Sequence, residues 1–216
     1  MSTTLISFTG GLGELQRLTP EELIVYVARV SNPENQMNTE TAPKLLKYLI
    51  KNEHWSPFET VNMTVQIVTS RAISTQILRH RSFVFQEYSQ RYTKALNYIK
   101  YPARRQDLKN RQNSIDDMSQ SDKDWFDLAQ DRVAKLAFDL YEEGLTRGIA
   151  KEQMRFLLPL NTETTLFMSG SIRSWMHYVK LRTSHSTQLE HRNIALEVQK
   201  IMIDEFPNIS EAMGWK

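Results

Sequence analysis

A chain of 216 residues that is 40% hydrophobic and 24% charged has the length and composition for one substantial core, which sets it apart from disordered, collagenous and membrane sequences. Its 27 basic and 25 acidic residues leave a formal charge of only +2, so no global field drives nonspecific nucleic-acid binding. The absence of cysteine removes disulfides, thiolate nucleophiles, Cys-ligated zinc and iron–sulfur clusters. No apolar run approaches the ~18 residues of a membrane helix, and no basic segment precedes the first apolar residues, so the expected location is cytoplasmic.

Residues 4–8 read as a short strand, ended by the turn at Gly10, Gly11 and Gly13. Thr19-Pro20-Glu21-Glu22 predicts a capped helix running through Leu23, Val27 and Val30 and closed by Asn32-Pro33. A second helix spans about 41–52, and His54 to Glu59 follows as a loop because Pro57 disfavours helix at Ser56. Residues 61–67 alternate apolar and polar without a miss, which predicts a half-buried strand. A helix over about 70–79 then delivers Arg79, His80 and Arg81 at its end.

Residues 100–124 are polar, with few aliphatic anchors, and predict a long mobile excursion. Residues 124–147 form an amphipathic helix whose stripe is Trp125, Leu128, Val133, Leu136, Leu140 and Tyr141, stopped by Gly148. A short helix carries Met154, Arg155 and Leu158; residues 164–168 are strand-like; helices follow over 171–182 and 189–206. With neither repeat nor linker, the expectation is a single α+β domain over 1–216, an antiparallel sheet flanked by more helices than strands.

The glycines make neither a G-x-G-x-x-G turn nor a Walker loop, and the histidines contain no i, i+4 pair, so the sequence offers no metal site. Chemistry concentrates between Arg79 and Tyr92. Three guanidiniums, an imidazole, a carboxylate, two amides and two serine hydroxyls alternate there with aromatics, a set suited to an anionic nucleotide. If the segment is extended, Glu87, Ser89 and Arg91 share one face, opposite Gln86, Tyr88 and Gln90. A plainer reading remains open: Arg79 and Arg81 complement a helix C-terminus, Glu87 pairs with Arg91, and Phe83 and Phe85 pack inside. So does a different function, an RNA-binding module in which Phe83, Phe85, Tyr88 and Tyr92 stack bases beside the basic residues of 79–111. Arg155, between apolar neighbours, calls for a buried anionic partner, and His54 could simply pack on Trp55.

The string Arg79-His80-Arg81, seven residues, Ser89, then Ser89-x-Arg91-Tyr92 resembles the signature of flavin-dependent thymidylate synthases. His54 to Glu59 is similar to that family's H-x-[ST]-P-F-E loop, Gln76 to Arg79 to its Q-x-x-R helix end, and Arg155 to Asn161 to its R-x-x-L-P-L-N segment. Val84, Gln86, Ser171 and His177 depart from residues many members carry, and 100–124 resembles a family-variable insertion. The resemblance implies methylation of dUMP to dTMP, with 5,10-methylenetetrahydrofolate as carbon donor, FAD as hydride carrier and NADPH as reductant. It also implies a homotetramer with active sites shared between subunits. By resemblance FAD is held by Ser56, Arg79, His80, Arg81, Glu87, Ser171, Ile172, Arg173 and His177. The nucleotide is held by Gln76, Arg79, Glu87, Tyr88, Ser89, Gln90, Arg91, Arg155 and Arg182, with Arg182 the catalytic group, and His54 and Glu59 belong to the same pocket. Neither a membrane nor a nucleic acid is implied as a partner.

Overall fold

The computed structural model describes residues 1–95 and 97–215. Along the chain lie β1 (Ser2–Phe8), α1 (Pro20–Ala28), α2 (Ala42–Lys51), β2 (Asn62–Ser70), α3 (Arg71–Ile77), β3 (Val84–Glu87), β4 (Arg105–Gln106) and β5 (Ser114–Ile115). Then come α4 (Gln120–Thr146), α5 (Lys151–Met154), β6 (Glu163–Ser171), α6 (Ile172–Arg182), α7 (Leu189–Glu205) and α8 (Pro207–Ala212). The main sheet runs β1-β2-β6-β3 with every neighbour antiparallel, and β4 with β5 makes a separate hairpin. This is the expected α+β domain, an antiparallel sheet with helices packed against it.

Its frame is the β2–β6 pair, in register from Asn62↔Ser171 to Ser70↔Glu163. Met63, Val65 and Ile67 of β2 and Leu166 and Met168 of β6 point to one side and are fully buried, as period-two alternation demands. Trp175 and Tyr178 of α6 and Ile194, Val198 and Met202 of α7 close over them. Gly170 is fixed by this packing, because a Cβ there would lie 2.5 Å from the Phe83 ring. Both long strands pass straight into helices: Ser70 precedes α3, and Ser171 caps α6 by accepting from the Ser174 N–H.

Two features depart from expectation. The α4 stripe does not face the core: Trp125, Leu128, Val133, Leu136 and Leu140 are 44–68% exposed, and only Ala134, Ala137, Tyr141 and Gly144 are buried. The helix hangs instead on a strap, through Tyr98 and Lys100 to Asp131 and through paired bonds between Tyr101 and Gln130. The segment 100–124 folds into the β4–β5 hairpin, with Arg105 forked onto Asp117 and Arg104 paired to buried Glu190. Arg104 and Arg105, two of the basic residues of 79–111, are therefore neutralised within the chain. Gly148, at φ 84°, takes the left-handed turn that ends α4.

His191 lies on the inner face of α7, fully buried, with Nε2 3.2 Å from the Tyr178 hydroxyl. Burial first, then the charges of Arg182 and His80, push its pKa down to about 3. The ring is neutral when folded but ordinary when unfolded, so its contribution to stability is complete above about pH 6.5 and is lost as pH falls toward 3. Between roughly pH 7.5 and 5 this removes about 2 kcal/mol. His191→Gln, which cannot titrate, should lose about that much less over the same interval in urea unfolding; equal losses in both proteins would remove His191 as the source.

Candidate functional site

After α3 the chain turns at Arg79-His80-Arg81, sending the guanidiniums of Arg79 and Arg81 outward and the imidazole of His80 into the core. His80 Nε2 accepts from Nε of Arg182 at 2.9 Å, and its ring stands edge-on to Tyr178. Burial, then the Arg182 and His177 charges, push the His80 pKa down to about 4. The ring is neutral, and with Nε2 accepting, its proton sits on Nδ1. Burial also keeps the Tyr178 hydroxyl protonated well above the usual range. Arg182 is thus held by a neutral imidazole, and among the described residues no carboxylate forms an ion pair with it. A half-buried guanidinium so arranged is an anion receptor.

At the Ser171 end of the sheet opens a cavity of about 590 Å³, lined by Trp55, Glu59, Ser82, Arg173, His177 and Lys180 among others. A groove of about 440 Å³ along Gly170, Ser171 and Ser174 adjoins it. Glu59 accepts from Ser171 Oγ at 2.5 Å and from Arg173 at 2.7 Å. Those partners, the serine first, hold its carboxyl below the usual range. Ser56 lies exposed beside Trp55 in the turn before Glu59. Ile172 is fully buried, so it can offer a ligand only its backbone. His54 stands edge-on to Tyr48, with centroids 5.9 Å apart, and not on Trp55.

The opposite end holds a second cluster. Arg71 pairs with Glu87 at 2.6 Å, Thr164 donates to the same carboxylate at 3.0 Å, and Gln90 Oε1 accepts from Arg71 at 3.5 Å. Gln90 Nε2 is buried without a partner among the described residues, beside a cleft of about 250 Å³ that Arg155 and Phe156 also line. An orphaned buried donor costs free energy unless something accepts from it. Arg155 does not find the buried anion expected of it; its guanidinium lies 5.4 Å over the Phe156 ring, with no ion pair among the described residues.

The shared face of Glu87, Ser89 and Arg91 does not form. β3 ends at Glu87, and Tyr88 makes the last bond to β6, because Asn97 to Ile99 occupies the next stretch of the β6 edge. The chain turns away instead, with the Tyr92 and Thr93 amides both donating to the Ser89 carbonyl. Arg91 consequently reaches Glu152 at 3.2 Å, not Glu87, and the Tyr88 hydroxyl donates to the Lys94 carbonyl. Gln76 meets Gln188, 2.6 Å away.

Five contributors escaped the sequence reading. Arg71, Thr164 and Gln188 carried no pattern; Glu190 and His191, polar residues on the apolar face of α7, did. The base-stacking alternative loses its platform: Phe83 is buried against Trp175, with centroids 4.7 Å apart, and Phe85 packs against the core, leaving Tyr92 exposed.

Comparison with known proteins agrees with this geometry. Residues 14–208 match the family model of the thymidylate synthase complementing protein. The chain is 51% identical, over all of both chains, to a probable flavin-dependent thymidylate synthase of Paramecium bursaria Chlorella virus 1. It is 55% identical to the flavin-dependent thymidylate synthase of a Synechocystis strain, over 92% of this chain and 91% of that one. The crystal structure of the UMP/dUMP methylase PolB from Streptomyces cacaoi, bound with 5-Br dUMP, superposes with a TM-score of 0.84 at 25% identity, covering 99% of this chain and 94% of that one. On this agreement of sequence and fold, the chain belongs to the thymidylate synthase complementing family, the flavin-dependent thymidylate synthases, enzymes of methyl transfer.

Proposed function

We propose that this protein methylates dUMP at C5 to give dTMP, taking the carbon from 5,10-methylenetetrahydrofolate and reducing equivalents from NADPH through bound FAD. The observation that carries the reading is Arg182, a cation held in place by a neutral imidazole and left without an acidic partner among the described residues. Set against the N3–O2 edge of uracil, it stabilises the negative charge that grows there as C5 becomes nucleophilic. A carboxylate beside it would quench that effect, and a charged His80 would oppose the guanidinium.

The cavity beside Ser171 fits a flavin nucleotide in its donor set. Arg173, His177 and Lys180 supply charge and donors for a pyrophosphate, Ser171 and Ser174 line its floor, and Trp55 offers an aromatic wall. Arg79, Arg81 and Ser56 are exposed, and Arg81 immediately precedes Ser82 of the cavity wall. Bound flavin supplies the hydride that completes the methyl group. Ser89 needs no nucleophilic role: its Oγ accepts from the Arg91 amide at 3.3 Å, and its immediate neighbours provide no base. The nucleotide phosphate falls to the Arg155 and Gln90 cleft, with Ser89, Tyr88 and Arg91 on the turn beside it.

One chain does not bring these parts together. Glu87 lies opposite Leu166, five residues along β6 from Ser171, or about 17 Å at the rise of a strand. We infer that the site is completed between subunits of a homotetramer, which the exposed faces of α4 and of Phe156, Leu157 and Leu160 can assemble.

Purified protein should carry flavin absorbance through gel filtration. Arg182→Ala should bind dUMP less tightly and lose about 10²- to 10³-fold in single-turnover methylation, while flavin stays bound; an unchanged rate would take Arg182 out of the reaction. The double variant Leu128→Glu with Leu136→Glu should sediment as smaller species of native helix content and lose turnover. A tetramer that survives both glutamates would show that α4 is not the contact.

A further inference from the structure

A line of hydrogen bonds runs from the 100–124 segment to Gln76. Arg104 pairs with Glu190, which is 5% exposed. Gln188 Nε2 donates to Glu190 Oε2 at 2.9 Å, and Gln76 Nε2 donates to Gln188 Oε1 at 2.6 Å. The direction is dictated by its end. A carboxylate paired with a guanidinium only accepts, so Gln188 must turn its amide nitrogen toward Glu190. Its oxygen then faces Gln76, and Gln76 must offer nitrogen in return. What remains free on Gln76 is Oε1, to which none of the described residues donates.

We propose that Arg104, Glu190 and Gln188 form a positioning relay that fixes Gln76 as a hydrogen-bond acceptor for the 3′-hydroxyl of the bound deoxynucleotide. The inference rests on the proposed function, in which Arg182 contacts dUMP, and on the resemblance that puts Gln76 among the nucleotide contacts. A carbonyl oxygen cannot receive the phosphate, which has no donor to give at neutral pH. Nor does an acceptor belong at the uracil N3 edge, where it would oppose the negative charge that Arg182 stabilises. The ribose hydroxyl is the donor that remains. The relay also gives the 100–124 segment a task, since Arg104 is its anchor on the site side.

Equilibrium dialysis of the flavin-loaded protein with dUMP and with 2′,3′-dideoxyuridine monophosphate tests this. Wild type should prefer dUMP by about fivefold to tenfold, the worth of one such bond. In Gln188→Leu the Gln76 amide loses its partner and turns its nitrogen outward; dUMP binding should weaken about fivefold, dideoxy binding should not change, and flavin should remain. Gln76→Leu, an independent variant, should abolish the preference, and adding Gln188→Leu to it should do nothing more. Equal weakening of both nucleotides, a preference retained in Gln76→Leu, or an added effect in the double variant would each overturn the relay. A wild type that binds neither nucleotide would instead overturn the functional reading itself.

Discussion

Everything in this molecule hangs on the nine-residue antiparallel pairing of β2 with β6. Because the strands run in opposite directions, the helices that follow them leave from opposite ends: α3 from Ser70 and α6 from Ser171. Each exit delivers its own set of polar groups. At one end gather Arg71, Glu87, Gln90 and Arg155; at the other Glu59, Arg173 and His177. Between them α3 and α6 converge through the bond from Arg182 to His80. A shift of one residue in this register would turn Met63, Val65 and Ile67 outward and separate all three regions at once.

The sequence was most legible where local chemistry decides the outcome. Thr19 and Glu22 make the reciprocal cap that their spacing announces, and the unbroken alternation of β2 is a buried face. The strand runs on to Ser70, past the read boundary, because Thr69 and Ser70 are polar yet buried by the partner strand. Periodicity identified the α4 stripe as one side of a helix but could not say what covers it. The end of β3 was illegible for a similar reason: what stops it is the arrival of Asn97 to Ile99 on the same edge. His80 and Arg182 were both singled out through family resemblance, but their bond joins residues 102 apart in sequence. No local pattern encodes that.

Charge is handled differently in the two halves of the site. Around Arg182 the protein uses burial to keep imidazoles and a phenol neutral, which leaves a cation without a carboxylate partner among the described residues in a low-dielectric setting. Around Arg71 it does the reverse, matching cation to carboxylate and leaving a neutral amide nitrogen as the unmet donor. The first arrangement favours a charge that appears during a reaction. The second suits the proposed role of holding a ligand whose charge is already present.

The exposed apolar side of α4 has a consequence for the life of the polypeptide in the cell. In the proposed assembly, a newly released copy carries five large apolar side chains on one helix, bare until other copies arrive. Association is second order in chain concentration, so the time spent bare lengthens as expression falls. Scarce copies therefore face the longest exposure to quality-control proteases and holdases, and steady-state abundance should rise more steeply than synthesis rate. Gene dosage, through this one helix, would set the amount of protein nonlinearly.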